Sequence, residues 1–542
     1  MQPRTMSLLK PLAFFVCVPL LYASLSAQSQ TPVRGNAPAP SAVASSNIPA
    51  LFLSDIHFDP LRDPVKAARL NAAPLSQWAA ILAAPSTPTA AADYAAINSK
   101  CPIKPLVDTD NSLFQSTVDA VHAQAFASGS KIRFAVLAGD IVGHQFDCRY
   151  NILFPNSTHA QFLSFVEKTA SYVVAGLRKA LPGIPIYFTL GNDDTGCHDN
   201  SLTPGKDEFL RFASRLVAQS LPTADRAAAL RDFPHGYYAA SLPAPLNKTR
   251  ILVLDNVYQM ANYRTCNTDG GPPPSQLSEI VRNSGRLGPT AQNAQLSWLA
   301  AQLDDVRAHH QQAWVVAHVP PGVNPYSTFN AARVYKVDIN VCRGGAPISF
   351  LSSDTLAQLL AINADVVRLA LFGHAHTDEM RLITPSLGLP PITFTATVSG
   401  PVQTDLTNSG VPVKILPSIS PVFAGLPSFT LAQINSRTAS LNDYTVVLAS
   451  NPTGIDTRWS PSYTFSTTYR ASSFTPDQLA PLITNLEADR TGSSAASQAY
   501  MREYRHYFFD DGSTPLPSVW PQLSCAIDHI SAAAFTNCAC AK

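Results

Sequence analysis

Residues 134–144 read FAVLAGDIVGH, an apolar run that leads into Gly139, Asp140 and, four residues later, His144. Four further stretches show the same change from an apolar run to Asp, Asn or His. They are 51–57 (LFLSDIH), 187–193 (YFTLGND), 314–318 (WVVAH) and 369–376 (LALFGHAH). Short apolar runs are typical of buried parallel strands, and the carboxyl ends of such strands gather at one edge of a sheet. We therefore predict an α/β fold with a polar site at that edge.

The alternation of strands and helices along the chain supports this fold class. Strands are predicted at 48–53, 132–137, 184–190, 250–254, 313–317 and 366–372, with helical patterns near 112–127, 159–180, 205–219, 290–309 and 353–362. Later stretches at 392–398, 428–434 and 444–448 alternate β-branched residues, which predicts an antiparallel continuation of a sheet. After about residue 451 the chain becomes turn-rich, with helical patches near 475–487 and 496–509.

The N-terminus predicts the compartment. Arg4 and Lys10 precede an apolar stretch at 11–25, and small residues follow it, which is the pattern of a secretory signal peptide. The stretch is shorter than the roughly 20 apolar residues of a membrane span, and prolines interrupt it, so no transmembrane anchor is predicted. The expected parts are a signal peptide at 1–27, a flexible linker at 28–47, an α/β domain at 48–450 and a helical, cysteine-rich region at 451–542.

Charge and cysteine content limit the partners and the environment. Lys and Arg number 38 against 37 Asp and Glu in 542 residues, so the chain lacks the basic surplus that broad nucleic-acid binding requires. Removal of the signal peptide takes Cys17 and leaves eight cysteines. An even number in an oxidising compartment predicts disulfides, and Cys525 is expected to pair with Cys538 or Cys540.

The polar residues that follow the five apolar strands share one chemistry. Asp, Asn and His provide oxygen and imidazole donors, which suit borderline transition metals, and none of them is a thiolate. Each residue alone is typical of a surface turn or of a hydrogen-bonded core position. Their recurrence after five successive apolar strands is what indicates a metal site.

The ordered motifs DxH, GD, GN, H and GHxH resemble those of the calcineurin-like metallophosphoesterases over about residues 49–450. Residues 139–144 (GDIVGH) are similar to the GDxxxH motif of the acid sphingomyelinase-like branch, as are 417–421 (PSISP) and the cysteine-rich end. The resemblance implies a four-layer αββα sandwich at 48–450, followed by a helical, disulfide-containing appendage.

The resemblance also implies a centre with two divalent ions, with zinc favoured and manganese or iron as alternatives. The first ion would be bound by Asp55, His57 and His376, the second by Asn192, His318 and His374, and both by Asp140. A hydroxide shared by the two ions would attack phosphorus in line with the leaving oxygen.

The chain departs from the family pattern directly after Asn192. The family has a His there, which touches the phosphate and helps to protonate the leaving group, whereas this chain has Asp193. His144 is the predicted acid, and His198 is an alternative. Asp193 would need a raised pKa to act as an acid, or it would support a metal ligand. A further alternative is that the protein acts on good leaving groups and needs little acid help.

Together these features predict a secreted or periplasmic phosphodiesterase acting on a small phosphoester or a phospholipid headgroup: a sphingomyelin-like, phosphocholine or nucleotide diester. The alternatives are a phosphomonoesterase, nucleotidase or polyphosphatase, and a catalytically impaired secreted metal-binding protein, for which Asp193 is the argument. Segments 258–290 and 323–350 are expected to form walls of the substrate cleft. Asp59 and Asp63 are expected in a surface turn, with a supporting position behind the metal ligands as the alternative.

Overall fold

The structure is a computed structural model that describes residues 46–101, 107–127, 131–266, 289–334, 336–385, 410–505 and 516–541. Twelve strands lie within these residues. In chain order, β1 to β12 are Asn47–Leu53, Phe134–Leu137, Ile186–Phe188, Tyr237–Ser241, Thr249–Leu254, Gln312–Ala317, Val367–Phe372, Glu379–Ile383, Val411–Ile415, Ser428–Asn435, Leu441–Ala449 and Trp459–Thr464. The predicted signal peptide, most of the predicted linker and the predicted strand at 392–398 lie outside the described residues.

The strands form two six-stranded sheets. The first sheet has the order β12-β11-β10-β1-β2-β3, and the second has the order β4-β5-β6-β7-β9-β8. β1, β2 and β3 are mutually parallel, as are β5, β6, β7 and β9. β10 and β11 continue the first sheet in antiparallel orientation, as the sequence predicted. The predicted α/β class with two sheets and many helices is confirmed.

Helices pack against both sheets. Glu208–Ser220 contacts β3 of the first sheet, and Pro289–Ala308 contacts β5 and β6 of the second. The other α-helices are Pro64–Ala72, Trp78–Ala83, Ala90–Asn98, Asn111–Ala125, Phe146–Leu153, His159–Ala180, Thr223–Asp232, Pro325–Phe329, Ala331–Val334, Thr355–Ile362, Phe465–Tyr469, Pro476–Ala488, Ala495–Arg505, Trp520–Cys525 and Ala532–Ala541. Single 3₁₀ turns lie at Leu75–Gln77, Phe233–His235, Val257–Gln259, Val341–Arg343 and Leu516–Val519.

The starts of the long helices are set by local side chains. Thr158 and Gln161 form a capping box at the start of His159–Ala180, in which each side chain accepts a hydrogen bond from the other residue's backbone N–H. Asp110 and Asp207 accept bonds from the first backbone N–H groups of the helices that follow them.

Four strands, β4, β8, β9 and β12, were not predicted. β8 contains Glu379 and Arg381, and β9 contains Lys414, and all three charged residues are buried and paired within the protein. β12 contains Pro461 and lies in the stretch after residue 451 that was expected to be turn-rich. Charged residues and prolines interrupt the apolar alternation that identifies strands from sequence. The burial of these charges is possible because Arg381 pairs with Glu379 and Lys414 pairs with Asp378.

Eight cysteines form four disulfides in the described residues. The pairs are Cys101–Cys148, Cys197–Cys266, Cys342–Cys540 and Cys525–Cys538. Of the two partners expected for Cys525, the structure selects Cys538. Cys540 instead ties the C-terminal helix to the 323–350 segment. Within the part of the chain described here, no helix has both the length and the apolar character needed to cross a membrane.

Trp314 on β6 joins the two sheets. Its ring makes edge contacts with Phe52 of β1 at 6.0 Å and with Phe134 of β2 at 5.7 Å between ring centroids. Its indole Nε1 donates a 2.8 Å hydrogen bond to the carbonyl oxygen of Ala439. The parallel strands of both sheets are thereby fixed relative to one another.

We expect Trp314→Ala to lower the free energy of unfolding by about 3–5 kcal/mol, because it removes a buried ring and leaves a cavity between the sheets. Guanidinium unfolding with the disulfides intact measures this change. Ile455→Ala is the control, since that side chain is 64% exposed, and its effect should stay within about 0.5 kcal/mol. Equal effects of the two substitutions would contradict the role given to Trp314.

Candidate metal centre

The seven predicted metal ligands lie at the carboxyl ends of parallel strands from both sheets. The first sheet contributes residues after β1, β2 and β3, and the second contributes residues after β6 and β7. In chain order the residues are Asp55, His57, Asp140, Asn192, His318, His374 and His376. Six of them are buried and His374 is half-buried. The loops that follow five separate strands therefore meet at one place.

Asp55, His57 and His376 form a first group of donors around Asp140. His57 Nε2 lies 3.0 Å from His376 Nε2, and His376 Nε2 lies 3.3 Å from Asp55 Oδ1. His57 Nε2 is also 3.4 Å from Asp140 Oδ2. Donor atoms of Asp55, His57 and Asp140 all lie within 4.8 Å of one another.

Asn192, His318 and His374 form a second group of donors, which also includes Asp140. His318 Nε2 lies 2.9 Å from Asp140 Oδ2 and 3.1 Å from Asn192 Oδ1. Asn192 Oδ1 is in turn 2.6 Å from His374 Nδ1. Asp140 Oδ2 thus faces an imidazole of each group, which is the position that a bridging carboxylate requires.

Two of the imidazoles are oriented by backbone carbonyl groups. His57 Nδ1 lies 3.1 Å from the Val142 carbonyl oxygen, and His318 Nδ1 lies 2.6 Å from that of Ala138. Because a carbonyl oxygen only accepts hydrogen bonds, Nδ1 carries the hydrogen in both rings. Nε2 therefore faces the centre in both, which is the arrangement of an imidazole that binds a metal.

The donor set fits a pair of divalent cations. Burial by itself raises the pKa of the Asp55 carboxyl, but His376 and His57 lower it to about 2, so it is ionised. Burial and the neighbouring His318 lower the pKa of His374 to about 4. A neutral imidazole and an ionised carboxylate are the forms that bind metal. Cations between the facing donor atoms would replace contacts in which two lone pairs oppose each other, such as that of His57 Nε2 with His376 Nε2.

Five of the seven predicted ligands have left-handed backbone conformations. The φ angles are 51° at Asp55, 45° at His57, 54° at Asp140, 69° at His374 and 54° at His376. A left-handed conformation costs a residue other than glycine roughly 1–2 kcal/mol. Such conformations cluster at functional sites, where the surrounding structure maintains them.

Two glycines permit the close approach of the loops after β2 and β3. A Cβ atom on Gly191 would lie 2.1 Å from Asp140 Oδ1, and one on Gly139 would lie 2.7 Å from His318 Nδ1. Gly139 also has a φ of 91°, which disfavours any side chain. These positions explain why Gly precedes Asp140 and Asn192 in the sequence motifs.

Asp194 joins the same two loops. Its Oδ1 accepts hydrogen bonds from the backbone N–H groups of Ile141 and Val142 at 2.8 and 2.9 Å. Its Oδ2 accepts a third bond, from Gly191 N at 2.9 Å. The loop that carries Asp140 is therefore held against the loop that carries Asn192.

Asp193, which stands where the family has His, lies buried behind the second group of donors. Its Oδ1 accepts a 3.0 Å hydrogen bond from Asn192 Nδ2, which turns Asn192 Oδ1 toward His318. Its backbone N–H donates to Asp140 Oδ1 at 2.9 Å. Burial, with nearby carboxylates led by Asp199, raises the pKa of Asp193 well above its ordinary value. These contacts favour the interpretation that Asp193 supports metal ligands.

His144 lies beside the first group of donors. Its ring stacks on that of His57, with 3.9 Å between centroids and an angle of 19°. Its side chain is 19% exposed whereas that of His57 is fully buried, so a substrate can reach His144. His198, the alternative acid, has its Nδ1 2.5 Å from Asp147 Oδ2 on a side chain that is 43% exposed. His144 therefore fits the predicted acid better.

A buried charged cluster behind His144 was missed in the sequence. Arg149 Nη1 donates to Asp59 Oδ2 at 2.8 Å, and Nη2 lies 3.3 Å from Asp108 Oδ2. Tyr94 also bonds to Asp59. The expectation that Asp59 and Asp63 lie in a surface turn is wrong: Asp59 is buried by Arg149, and Asp63 is a buried cap of the helix Pro64–Ala72. Asp108 has no motif around it that could have identified it.

Aromatic side chains border the centre. Phe423, which is half-buried, meets the ring of His376 edge-on at 4.9 Å and that of His144 at 5.8 Å. Tyr326 lies 6.4 Å from Phe423, and Phe350 lies 5.7 Å from His374. The 323–350 segment thus lies beside the centre, as expected of a cleft wall. Of the other expected wall, residues 267–288 lie outside the described residues.

Comparison with known proteins confirms the resemblance that the motifs indicated. The chain is similar to curated sphingomyelinase and acid sphingomyelinase-like phosphodiesterases. It is 23% identical over 341 residues to the sphingomyelinase phosphodiesterase D of Dictyostelium discoideum, which covers 62% of this chain and 61% of that protein. It is 21% identical over 428 residues to the cyclic GMP-AMP phosphodiesterase of Bos taurus, covering 76% of this chain and 77% of that protein.

Other matches vary in extent. A cyclic GMP-AMP phosphodiesterase of Rattus norvegicus is 24% identical over 45% of this chain and 48% of its own length. The chain thus spans from about half to three-fifths of the rat and Dictyostelium relatives. A solved dimetal phosphatase from Danio rerio matches 77% of this chain and 99% of its own, at 12% identity and a TM-score of 0.36. No profile of a known protein family matches the chain.

The shared position of Asp140 gives a prediction for metal content. We expect the purified protein to bind two divalent ions, Asp140→Ala to bind less than one, and Asp55→Ala to keep the ion of the second group. Plasma mass spectrometry after dialysis measures the ratio. His159→Ala removes an exposed imidazole at the start of the helix His159–Ala180, outside both groups of donors, and should keep two ions. If Asp140→Ala retained both ions, Asp140 would not be the shared ligand.

Proposed function

We propose that the chain is a secreted phosphodiesterase that uses two divalent metal ions, with zinc favoured. The observation on which the proposal rests is the pair of donor groups that share the buried carboxylate of Asp140. Three residues complete each group, and each group contains residues from both sheets. Four disulfides support an oxidising, extracellular environment.

The chemistry follows from this arrangement. When bound, two divalent cations would supply positive charge to the phosphate oxygens and lower the pKa of the attacking water. The protein's own residues hold this region in place and keep it enclosed. Asp193 orients the Asn192 amide, and Asp194 fixes the loops of Asp140 and Asn192. Because the attacking group would be a water, hydrolysis in this arrangement requires no protein nucleophile.

His144 is the proposed acid. It stacks on His57, so its ring lies beside the place where a phosphate would meet the first group of donors. Its Nε2 lies 3.5 Å from Asp193 Oδ2. A proton given from Nε2 to the leaving oxygen would let the leaving group depart as an alcohol and not as an alkoxide. General acid catalysis of this kind raises a reaction rate by about 10²–10⁴-fold.

Charge and shape support a diester as the substrate. The carboxylate of Asp108 lies directly behind His144, 2.9 Å from its Nδ1. Acidic groups disfavour the second negative charge of a phosphate monoester more than the single charge of a diester. The half-buried Phe423 offers an apolar surface to a leaving group beside His144. The relatives' names point to sphingomyelin and to a cyclic dinucleotide, so headgroup diesters and nucleotide diesters are the substrates to compare.

We expect the protein to hydrolyse bis(4-nitrophenyl) phosphate at least about tenfold faster than 4-nitrophenyl phosphate, for the charge reason above. A chelator should abolish this activity, and added zinc should restore it. Release of 4-nitrophenol measures both, and sphingomyelin and nucleotide diesters are then compared. Preference for the monoester would identify a phosphomonoesterase or nucleotidase instead. Two bound ions without hydrolysis of any ester would identify a metal-binding protein.

His144→Gln should lower kcat on a diester with a poor leaving group by on the order of 10²-fold, and much less on the 4-nitrophenyl diester. The reason is that 4-nitrophenolate departs without a proton. Metal content should stay at two ions. His198→Gln is the matched control and should leave the ratio of the two rates unchanged. An equal loss of kcat on both substrates would show that His144 is not the acid.

A further inference from the structure

We propose that Asp108 is a positioning residue that holds His144 with its Nε2 directed to the substrate. The inference rests on the proposed function, because it concerns the acid of that reaction. Asp108 lies outside the motifs and belongs to neither group of donors. It contacts both the imidazole and the backbone of His144.

The hydrogen bonds of Asp108 determine which nitrogen of His144 carries hydrogen. Oδ1 lies 2.9 Å from His144 Nδ1 and accepts a 3.2 Å bond from Ser420 Oγ. Oδ2 accepts from the backbone N–H of His144 at 2.9 Å and from Arg149 Nη2 at 3.3 Å. Its other three partners are donors, so the carboxylate acts as an acceptor throughout and Nδ1 must donate. Nε2 is left on the other side of the ring, 3.5 Å from Asp193 Oδ2, and a donor atom of His144 lies within 4.8 Å of those of His57 and His376.

Arg149 holds Asp108 in place. The guanidinium is fully buried, bridges Asp108 and Asp59, and also donates to the carbonyl oxygen of His144. Asp59 is fixed in turn by a 2.8 Å bond from its backbone N–H to the Thr109 carbonyl oxygen. A buried cation between two carboxylates is stable only when its partners are in place, and loss of one partner leaves an unpaired buried charge. The cluster therefore gives Asp108 one position.

Asp108 is joined to the centre through one further contact. Ser420 donates to Asp108 through its side chain, and its backbone N–H donates to the carbonyl oxygen of Asp55 at 2.9 Å. Ser420 thus links the carboxylate that orients His144 to the loop of Asp55 in the first group of donors. An Asp that merely stabilised its own loop would not need to contact the acid at both its ring and its backbone.

The test is Asp108→Asn, which preserves shape but allows an amide NH₂ to face Nδ1 and favour the wrong tautomer of His144. We expect a fall in kcat of on the order of 10²-fold on a methyl diester with phenol as leaving group. KM should change little, and the 4-nitrophenol analogue should be much less affected. Asp110→Asn is the matched control two residues away, because Asn caps a helix as well as Asp does, and it should match the wild type on both substrates.

A double-mutant cycle distinguishes positioning from a general structural effect. If Asp108 acts through His144, Asp108→Asn should cause no further loss of kcat in a His144→Gln background. Additive losses, or equal losses on the two leaving groups, would overturn the inference. Metal content and the unfolding midpoint of each variant show whether it has folded.

A second measurement separates this inference from the proposed function. In ¹⁵N-histidine spectra at a pH where the imidazole is neutral, wild-type His144 should carry its hydrogen on Nδ1, and Asp108→Asn should lose that tautomer. His144→Gln assigns the signal. If the wild type lacked chelator-sensitive hydrolysis, the proposed function would be wrong. The tautomer of His144 in the spectrum would still show whether Asp108 orients its ring. Hydrogen on Nε2 in the wild type would overturn the inference.

Discussion

The carboxylate of Asp140 is the group on which the rest of the centre depends. Two buried clusters of donors can hold two cations close together only if a negative charge between them offsets their repulsion. Asp140 is in that place because Gly139 turns the chain, Gly191 leaves room for its oxygen and Asp194 fixes both loops. A Cβ atom at position 191 would collide with Asp140 Oδ1, the oxygen that accepts a hydrogen bond from the backbone N–H of Asp193.

The conformations of the ligand loops are the second constraint. Asp55, His57, Asp140, His374 and His376 all have left-handed backbones, which the chain would not choose locally. They are maintained by hydrogen bonds from neighbouring loops, such as that from the His57 backbone N–H to the Asp140 carbonyl oxygen at 2.9 Å. The ligands therefore depend on tertiary contacts, and the stability of the two sheets supports their geometry.

Sequence reasoning succeeded where a residue and its local pattern were sufficient. The apolar strands before Asp55, Asp140 and His318 were predicted because buried parallel strands have a continuous apolar signature. It failed where a buried group is paired with a distant partner. Lys414 in β9 pairs with Asp378, and Asp59 pairs with Arg149, 90 positions away. Such residues read as surface positions in a sequence, since nothing nearby reveals the opposite charge that makes their burial possible.

The two sheets contribute to the centre unequally but jointly. Asp55, Asp140 and Asn192 follow strands of one sheet, whereas His318 and the GHAH segment at 373–376 follow strands of the other. Both donor groups thus contain residues from each sheet. Any cation held there would cross-link the two sheets and oppose the sliding of one over the other. Metal binding would then stabilise the fold, and the metal-loaded protein would be more rigid than the metal-free protein.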